Sequence, residues 1–236
     1  MDIGVLIVMS LWLAARWVLW NGMLAMIPVV LAYSALWISG QHALGRWRYL
    51  FIAVLLPVWF VFLPNTCYLV TEWRHFLHLL DAKDLYIRSQ VDSSIFVPLL
   101  EMSLFYMLYS GFGMLTFTLA TRPIERLAMK RNIPLWSWAI PFFTLVSLGV
   151  YLGLVPRFNS WDMIHHPKII LNVIASVAGH PRLAGFIVIF GMFLWLAYEA
   201  LDLWIDGFSE RWKQIISKYR KKNTNSKNNK LSESKR

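Results

Sequence analysis

Between Ile3 and Ile205 the charges are too few and the apolar runs too long for this chain to divide itself between a dry core and a wet surface. Six runs stand out: Ile3 to Leu19, Met23 to Ser39, Tyr49 to Val70, Ile95 to Ala120, Leu135 to Val155 and Leu183 to Ile205. A helix needs about 20 apolar residues to cross a hydrocarbon core of about 30 Å. In lipid each backbone N–H and C=O must find its partner within the protein, which favours helices for segments of this kind. The expected fold is therefore all-α, a polytopic transmembrane helical bundle of about six helices. Composition supports this, because only 15% of the 236 residues are charged, against about a quarter in soluble domains.

The charges that remain mark the ends of the apolar runs. The net charge of +10 comes largely from the segment Arg211 to Arg236, which holds ten of the 23 basic residues. This is the pattern of membrane topology and not of nucleic-acid recognition, so no nucleic-acid partner is expected. Arg46 and Arg48, then Arg122, Arg126, Lys130 and Arg131, then the tail, fall on alternate sides from Glu72, Asp81, Asp84, Asp92 and Asp162. The positive-inside rule then predicts both termini in the cytoplasm, with outer loops at 71–94 and 156–182. Within that arrangement Asn21-Gly22 is expected as a turn between the first two segments, with Arg16 snorkelling to an interface that Trp12, Trp17 and Trp20 anchor. The first run is read as a retained helix, because no basic n-region or small-residue cleavage site accompanies it. Residues 1–207 form the membrane domain. Residues 208–220, with Phe208, Trp212, Ile215, Ile216 and Tyr219 at helical spacing among basic residues, form an amphipathic helix for an anionic inner leaflet. Residues 221–236, rich in Lys, Asn and Ser, are expected to be disordered.

One stretch departs from the scaffold pattern. The run Tyr49 to Leu63 has 15 residues, reaching about 22 Å as a helix, so the residues after it complete the crossing. Pro64 removes an N–H there, and Asn65 and Thr66 carry side chains that compete for backbone partners. The helix should break at Pro64–Thr66. Opened backbone at membrane depth is tolerated where protein buries it or where it lines a cavity, so a cavity is expected beside it. The single cysteine, Cys67, excludes an internal disulfide and is expected to be a small buried apolar side chain.

The stretch LPNTCYLVTEWRH at 63–75, taken with RFNSWD at 157–162, resembles the two signature segments of a family of bacterial integral membrane proteins of unknown function. In that family the segments read like LPNAPYLVTDLIHL and RxNSWD. Here Thr66-Cys67 replaces Ala-Pro, and Glu72 stands where Asp is common. The resemblance implies that the two motifs belong together, and it implies no activity.

The candidate chemistry gathers at these motifs. Glu72, His75 and His78 stand at i, i+3 and i+6, so a helix brings each near the next but not all three onto one face. With Asp162, His165 or His166 they are candidates for a divalent metal site, with Glu72, His75 and Asp162 as the tentative ligands and catalytic groups. The competing reading is a surface helix over TEWRHFLHLLDAKDLY at 71–86, N-capped by Thr71 with Glu72 at its positive end, whose histidines face water. Arg157 offers a planar fork for an anionic headgroup, or else pairs structurally with Glu72 or Asp162. Asn65, Tyr68, Asn159 and Trp161 complete the candidate substrate-binding set, together with Glu101, the one ionisable residue well inside an apolar run. Arg157 or His75 is its expected partner. Gly111 and Gly113 are expected to permit close helix contact.

Three functions fit these residues. One is an outward-facing hydrolase or transferase acting on a lipid or lipid-linked anionic substrate. The second is an ion-coupled carrier built on Glu101 and the broken helix. The third is a non-catalytic assembly or scaffold protein. The enzyme reading requires Glu72 or His75 to converge on Arg157, Asn159 or Asp162.

Overall fold

The computed structural model of the chain describes the backbone of residues 3–82 and 84–233, and the side chains of 17–81, 84–163 and 165–219. Trp12, Arg16 and the tail at 221–236, on which expectations fell, lie outside the described side chains. All regular structure among the described residues is helical: α1 (Ile3–Ser39), α2 (Trp47–Phe62), α3 (Pro64–Thr71), α4 (Trp73–Ala82), α5 (Leu85–Ser89), α6 (Ser93–Met129), α7 (Ala139–Leu154), α8 (Asp162–His165), α9 (Pro167–Ala178) and α10 (Pro181–Glu233). Four stretches are long and apolar enough to cross a membrane, Trp17–Ser39, Trp47–Asp81, Ser93–Met129 and Pro181–Tyr219, and Ala139–Leu154 is a shorter apolar helix. The chain is an all-α membrane protein, as its apolar runs require.

Packing divides the chain into Met1–Tyr198 and Glu199–Arg236. In the first unit α6 is the central helix, with α1, α3, α4 and α5 packed on it. It runs opposite to α2 and α3. The Trp59 indole donates to the Ala120 carbonyl at 3.0 Å, Gly113 lies against Thr66 and Leu69, and the Trp73 indole donates to Ser110 Oγ at 2.8 Å. The helix α7 runs parallel to α2 and α3, stacking Phe142 on Trp59 at one end and laying Gly149 on Pro64 and Gly153 on Tyr68 further along. Lipid supplies no hydrophobic force between helices, so close van der Waals contact at small residues holds such pairs. A Cβ on Gly113 would meet Leu69 Cβ and the Thr66 carbonyl at 2.7 Å each, whereas Gly111 has nothing within 4 Å. Of the two glycines expected to permit contact, only Gly113 does so.

The first two apolar runs are one helix. No turn forms at Asn21-Gly22, because α1 is continuous and places Gly22 against Phe112 and the Asn21 amide beside Glu72. A helical Asn in an apolar segment needs a partner, and the carboxylate supplies it. The hairpin that would have brought the N-terminus back to the basic loops is thus absent.

The stretch after Thr71 also differs from a surface-lying helix. Trp73 and Phe76 pack on Tyr106, and Phe76, Leu85, Ile95, Leu99 and Met102 form a buried cluster. The helices α4 and α5 therefore form a hairpin against the first turns of α6. The Thr71 hydroxyl bonds back to the Tyr68 carbonyl at 2.8 Å and caps nothing. At 37 residues, α6 is about 55 Å long, well beyond a hydrocarbon core of about 30 Å. Its first turns therefore need not lie in lipid.

Asp92 caps α6, accepting the Ser94 N–H at 2.9 Å, and the Ser94 hydroxyl together with that N–H holds its carboxyl below the ordinary value of 3.8. The folded pKa is the lower one, so the stabilisation is complete above the ordinary value and is lost as pH falls through the lowered one. Once the intrinsic pH dependence of amide exchange is divided out, acidification should lower the protection of Ser94–Phe96 in the wild type. In Asp92→Asn, which keeps an acceptor without a titrating group, the exchange should show no such step.

In the second unit Trp204, Phe208 and Trp212 stack along one exposed stripe, at ring separations of 5.9 and 6.2 Å. Lys213 pairs with Glu210 at 2.7 Å.

Candidate functional site

Pro64 is where the bundle departs from regular hydrogen bonding. The chain keeps helical dihedrals at Leu63, φ −56° and ψ −40°, so α2 does not turn away there. The pattern of partners changes instead. Thr66 N bonds to the Leu63 carbonyl at 3.1 Å, three residues back, which leaves the Phe62 carbonyl without its usual partner. The Asn65 side chain supplies it. One N–H of its amide donates to the Phe62 carbonyl and the other to Ser160 Oγ, both at 2.9 Å, and the Ser160 hydroxyl donates onward to the Val61 carbonyl at 3.2 Å. The expected break is present as a local loosening that side chains satisfy.

This network joins the two motifs, and Ser160 is the residue through which it does so. Ser160 was not among the expected site residues, although it stands in the RFNSWD segment. Between the segments lies a cavity of about 150 Å³. Pro64, Asn65 and Tyr68 line one wall, Phe158, Asn159 and Ser160 another, and Leu148, Leu152 and Ile170 are among the apolar residues that complete it. The Tyr68 ring reaches α7 at Gly153, where a Cβ would overlap its hydroxyl. Cys67 is buried beside this region, as expected.

The 157–162 segment is a tight turn that its own side chains hold. Arg157 adopts φ 61°, in the left-handed region that a non-glycine residue rarely occupies. Asp162 Oδ2 accepts the Asn159 N–H at 2.7 Å and its side-chain amide at 3.5 Å, so its carboxylate closes the turn. The Arg157 side chain is exposed and makes no hydrogen bond or ion pair among the described residues. Trp161 is 42% exposed.

Glu72 and His75 form a second, separate group. Glu72 Oε1 accepts from Asn21 Nδ2 and Glu72 Oε2 faces His75 Nε2, each at 3.5 Å. Tyr106 and Tyr109 of α6 stand within electrostatic reach of the same carboxylate. Among the described residues no hydrogen bond or ion pair joins Glu72 or His75 to Arg157, Asn159 or Asp162. The expected convergence of the motifs therefore occurs one helical turn or more earlier, at Asn65. Asn65 meets the turn and Tyr68 meets α7, while Glu72 meets α1 at Asn21. Asn21 belongs to this group and was misread as a turn residue; a lone amide deep in a 37-residue apolar helix was the signal available.

No three His, Cys, Asp or Glu side chains among the described residues stand close enough to hold a metal ion. The tentative set Glu72, His75 and Asp162 is split between the two groups, because Asp162 is taken up by the Asn159 turn. His78, His165 and His166 are exposed. Glu101 is exposed on α6 and meets neither Arg157 nor His75, so the expected pairing is not formed. It lies in the first turns of α6, alongside Leu99 and Met102 of the α4–α5 hairpin cluster.

Residues 20–197 of the chain match a family described as a protein of unknown function, DUF1361. That match covers well over half of the sequence, including both motifs, and the chain belongs to this family. No curated protein matches it, and no solved structure does so.

Proposed function

We propose that this member of the family is a bacterial plasma-membrane protein that recognises an anionic amphiphile, a lipid or lipid-linked molecule, at the end of the bundle that carries the two motifs. That end faces outwards in this reading, because the basic loops at Arg46–Arg48 and Arg122–Arg131 lie at the other end. The observation that carries the reading is the pairing of an apolar cavity with an uncommitted arginine. The aliphatic walls at Leu148, Leu152 and Ile170 suit a hydrocarbon segment, and Arg157 directly precedes the cavity-lining Phe158–Ser160. A guanidinium fork suits a carboxylate or phosphate head. Asn65, Ser160 and Asp162 are spent on holding the site, which favours binding over chemistry.

One observation favours a second reading, hydrolysis or group transfer on the same molecule. The Glu72–His75 pair is a candidate acid–base couple at the same end of the bundle. The carrier reading has less support, since Glu101 is exposed and the amide at Asn65 is fully used. In the second unit the stacked Trp204–Phe208–Trp212 stripe beside Arg211 and Lys213 suits an amphipathic helix on an anionic inner leaflet.

Native mass spectrometry of detergent-extracted protein tests the binding reading. The wild type should retain an amphiphile. Leu148→Trp, which fills the cavity, and Arg157→Ala, which removes the cation, should each lose it by about tenfold or more, while Arg157→Lys should keep most of it. Equal retention in all four proteins would leave a purely structural role for the motifs.

A further inference from the structure

At the opposite end of the first unit lies a larger cavity, of about 450 Å³, between the start of α2 and the end of α6. Its size is that of a small-molecule site. His42, Arg48, Lys130 and Arg131 stand at its rim, and no acidic residue lines it. The floor is aliphatic, with Ile52, Leu56 and Ile124 among its residues. The rim is braced inwards: Arg48 Nη2 donates to the Tyr49 hydroxyl at 2.8 Å, and the guanidinium groups of Arg48 and Arg131 lie 4.8 and 5.8 Å from the Tyr49 ring centre. Arg48 Nε is buried and has no hydrogen-bond partner.

Topology alone explains basic residues at this end, but it requires neither a cavity nor the gathering of cations from two distant loops around one aromatic ring. Three permanent cations with no acidic residue in the lining repel one another. A bound anion relieves that repulsion. We infer that this cavity is a binding site for a phosphate-bearing head attached to an apolar body, with the phosphate among Arg48, Lys130 and Arg131 and the apolar part on Ile52, Leu56 and Ile124. This is the chemistry of an anionic phospholipid, which basic pockets between transmembrane helices on the cytoplasmic side take up. The inference goes beyond the motif-end reading and does not rest on it, since the two sites share no residue.

The test uses the full chain in phosphatidylcholine nanodiscs, with thermal stabilisation as the readout. Phosphatidylglycerol is titrated in one arm and inorganic phosphate in the other. Stabilisation by phosphatidylglycerol alone assigns the site to a membrane lipid, and stabilisation by both shows that the phosphate head suffices and that a soluble phosphate compound is an equally good occupant. The double variant Lys130→Gln with Arg131→Gln should weaken the apparent affinity by about five-fold for each charge removed. Arg126→Gln, at the same end but outside the cavity, should leave it unchanged. Melting in phosphatidylcholine alone checks that the double variant is folded; should it not be, Ile52→Trp, which fills the floor, takes its place. No stabilisation in either arm, or an equal loss in Arg126→Gln, would overturn the inference and leave a diffuse surface charge. Loss of the motif-end amphiphile in Arg157→Ala has no bearing on this result, so the two readings fail separately.

Discussion

Gly113→Ala should destabilise the protein by about 1–3 kcal/mol, the usual cost of overpacking a close contact, whereas Gly111→Ala, two residues away on the same helix, should be neutral or stabilising by up to about 1 kcal/mol. The difference follows from what each new methyl group would meet. At Gly113 it would lie 2.7 Å from Leu69 Cβ and from the Thr66 carbonyl, and at Gly111 it would meet nothing within 4 Å. One of the two Gly113 neighbours is backbone, so no rotamer change can relieve the clash, and α3 must move away from α6. That motion would pull on the Thr66–Leu63 turn and so on the Asn65 network. Equilibrium unfolding in mixed detergent would measure both variants. Equal stabilities would mean that α3 and α6 are not in the close contact described.

Asn65→Ala should be comparably damaging, at about 1–3 kcal/mol, because it leaves the part-buried Phe62 carbonyl without a donor as well as breaking the bond to Ser160. Ser160→Ala should cost less, since Asn65 still holds the Phe62 carbonyl. A double-mutant cycle separates the two contributions. Hydrogen bonds between transmembrane segments couple by about 0.6 kcal/mol on average and about 1.7 at most, so a cost for Asn65→Ala well above the measured coupling belongs to the helix and not to the contact between motifs. Limited proteolysis supplies the second readout. Both variants should expose the turn at 157–162, because Ser160 is the described hydrogen-bond link between that turn and α2–α3. Protection unchanged from wild type in both would show that Asp162 and the Asn159 turn hold the segment without Asn65.

The site was legible in part. Pro64 and Asn65 announced a disturbed helix through their own chemistry, a missing N–H and a competing amide, and that local logic needs no knowledge of the fold. The pairing of the two motifs came from resemblance, and the structure supplies its atoms at Asn65 and Ser160. Glu72 and His75 were placed with the wrong partners. The reason is that spacing along a helix says which of Glu72, His75 and His78 lie near one another, but not which neighbouring helix they meet. Here α3 ends at Thr71, and Glu72 turns towards Asn21.

What the sequence by itself determined is the class of solvent and the class of fold. Apolar runs of this length, with charges few and mostly near their ends, are suited to bury their backbone polar groups as helices in a membrane, and local composition is enough to decide that. The tertiary structure alone decided which helices meet and therefore which polar groups find partners. Asn21-Gly22 has the composition of a turn, yet Glu72, 51 residues on, gives the amide a partner and the helix continues through it. Likewise Arg48, Lys130 and Arg131 mark topology when read along the chain, and become the rim of one cavity only when α2 and α6 bring their ends together. Long-range partners of this kind leave no periodic trace, because each is a single contact between segments whose separation in sequence carries no information about their distance in space.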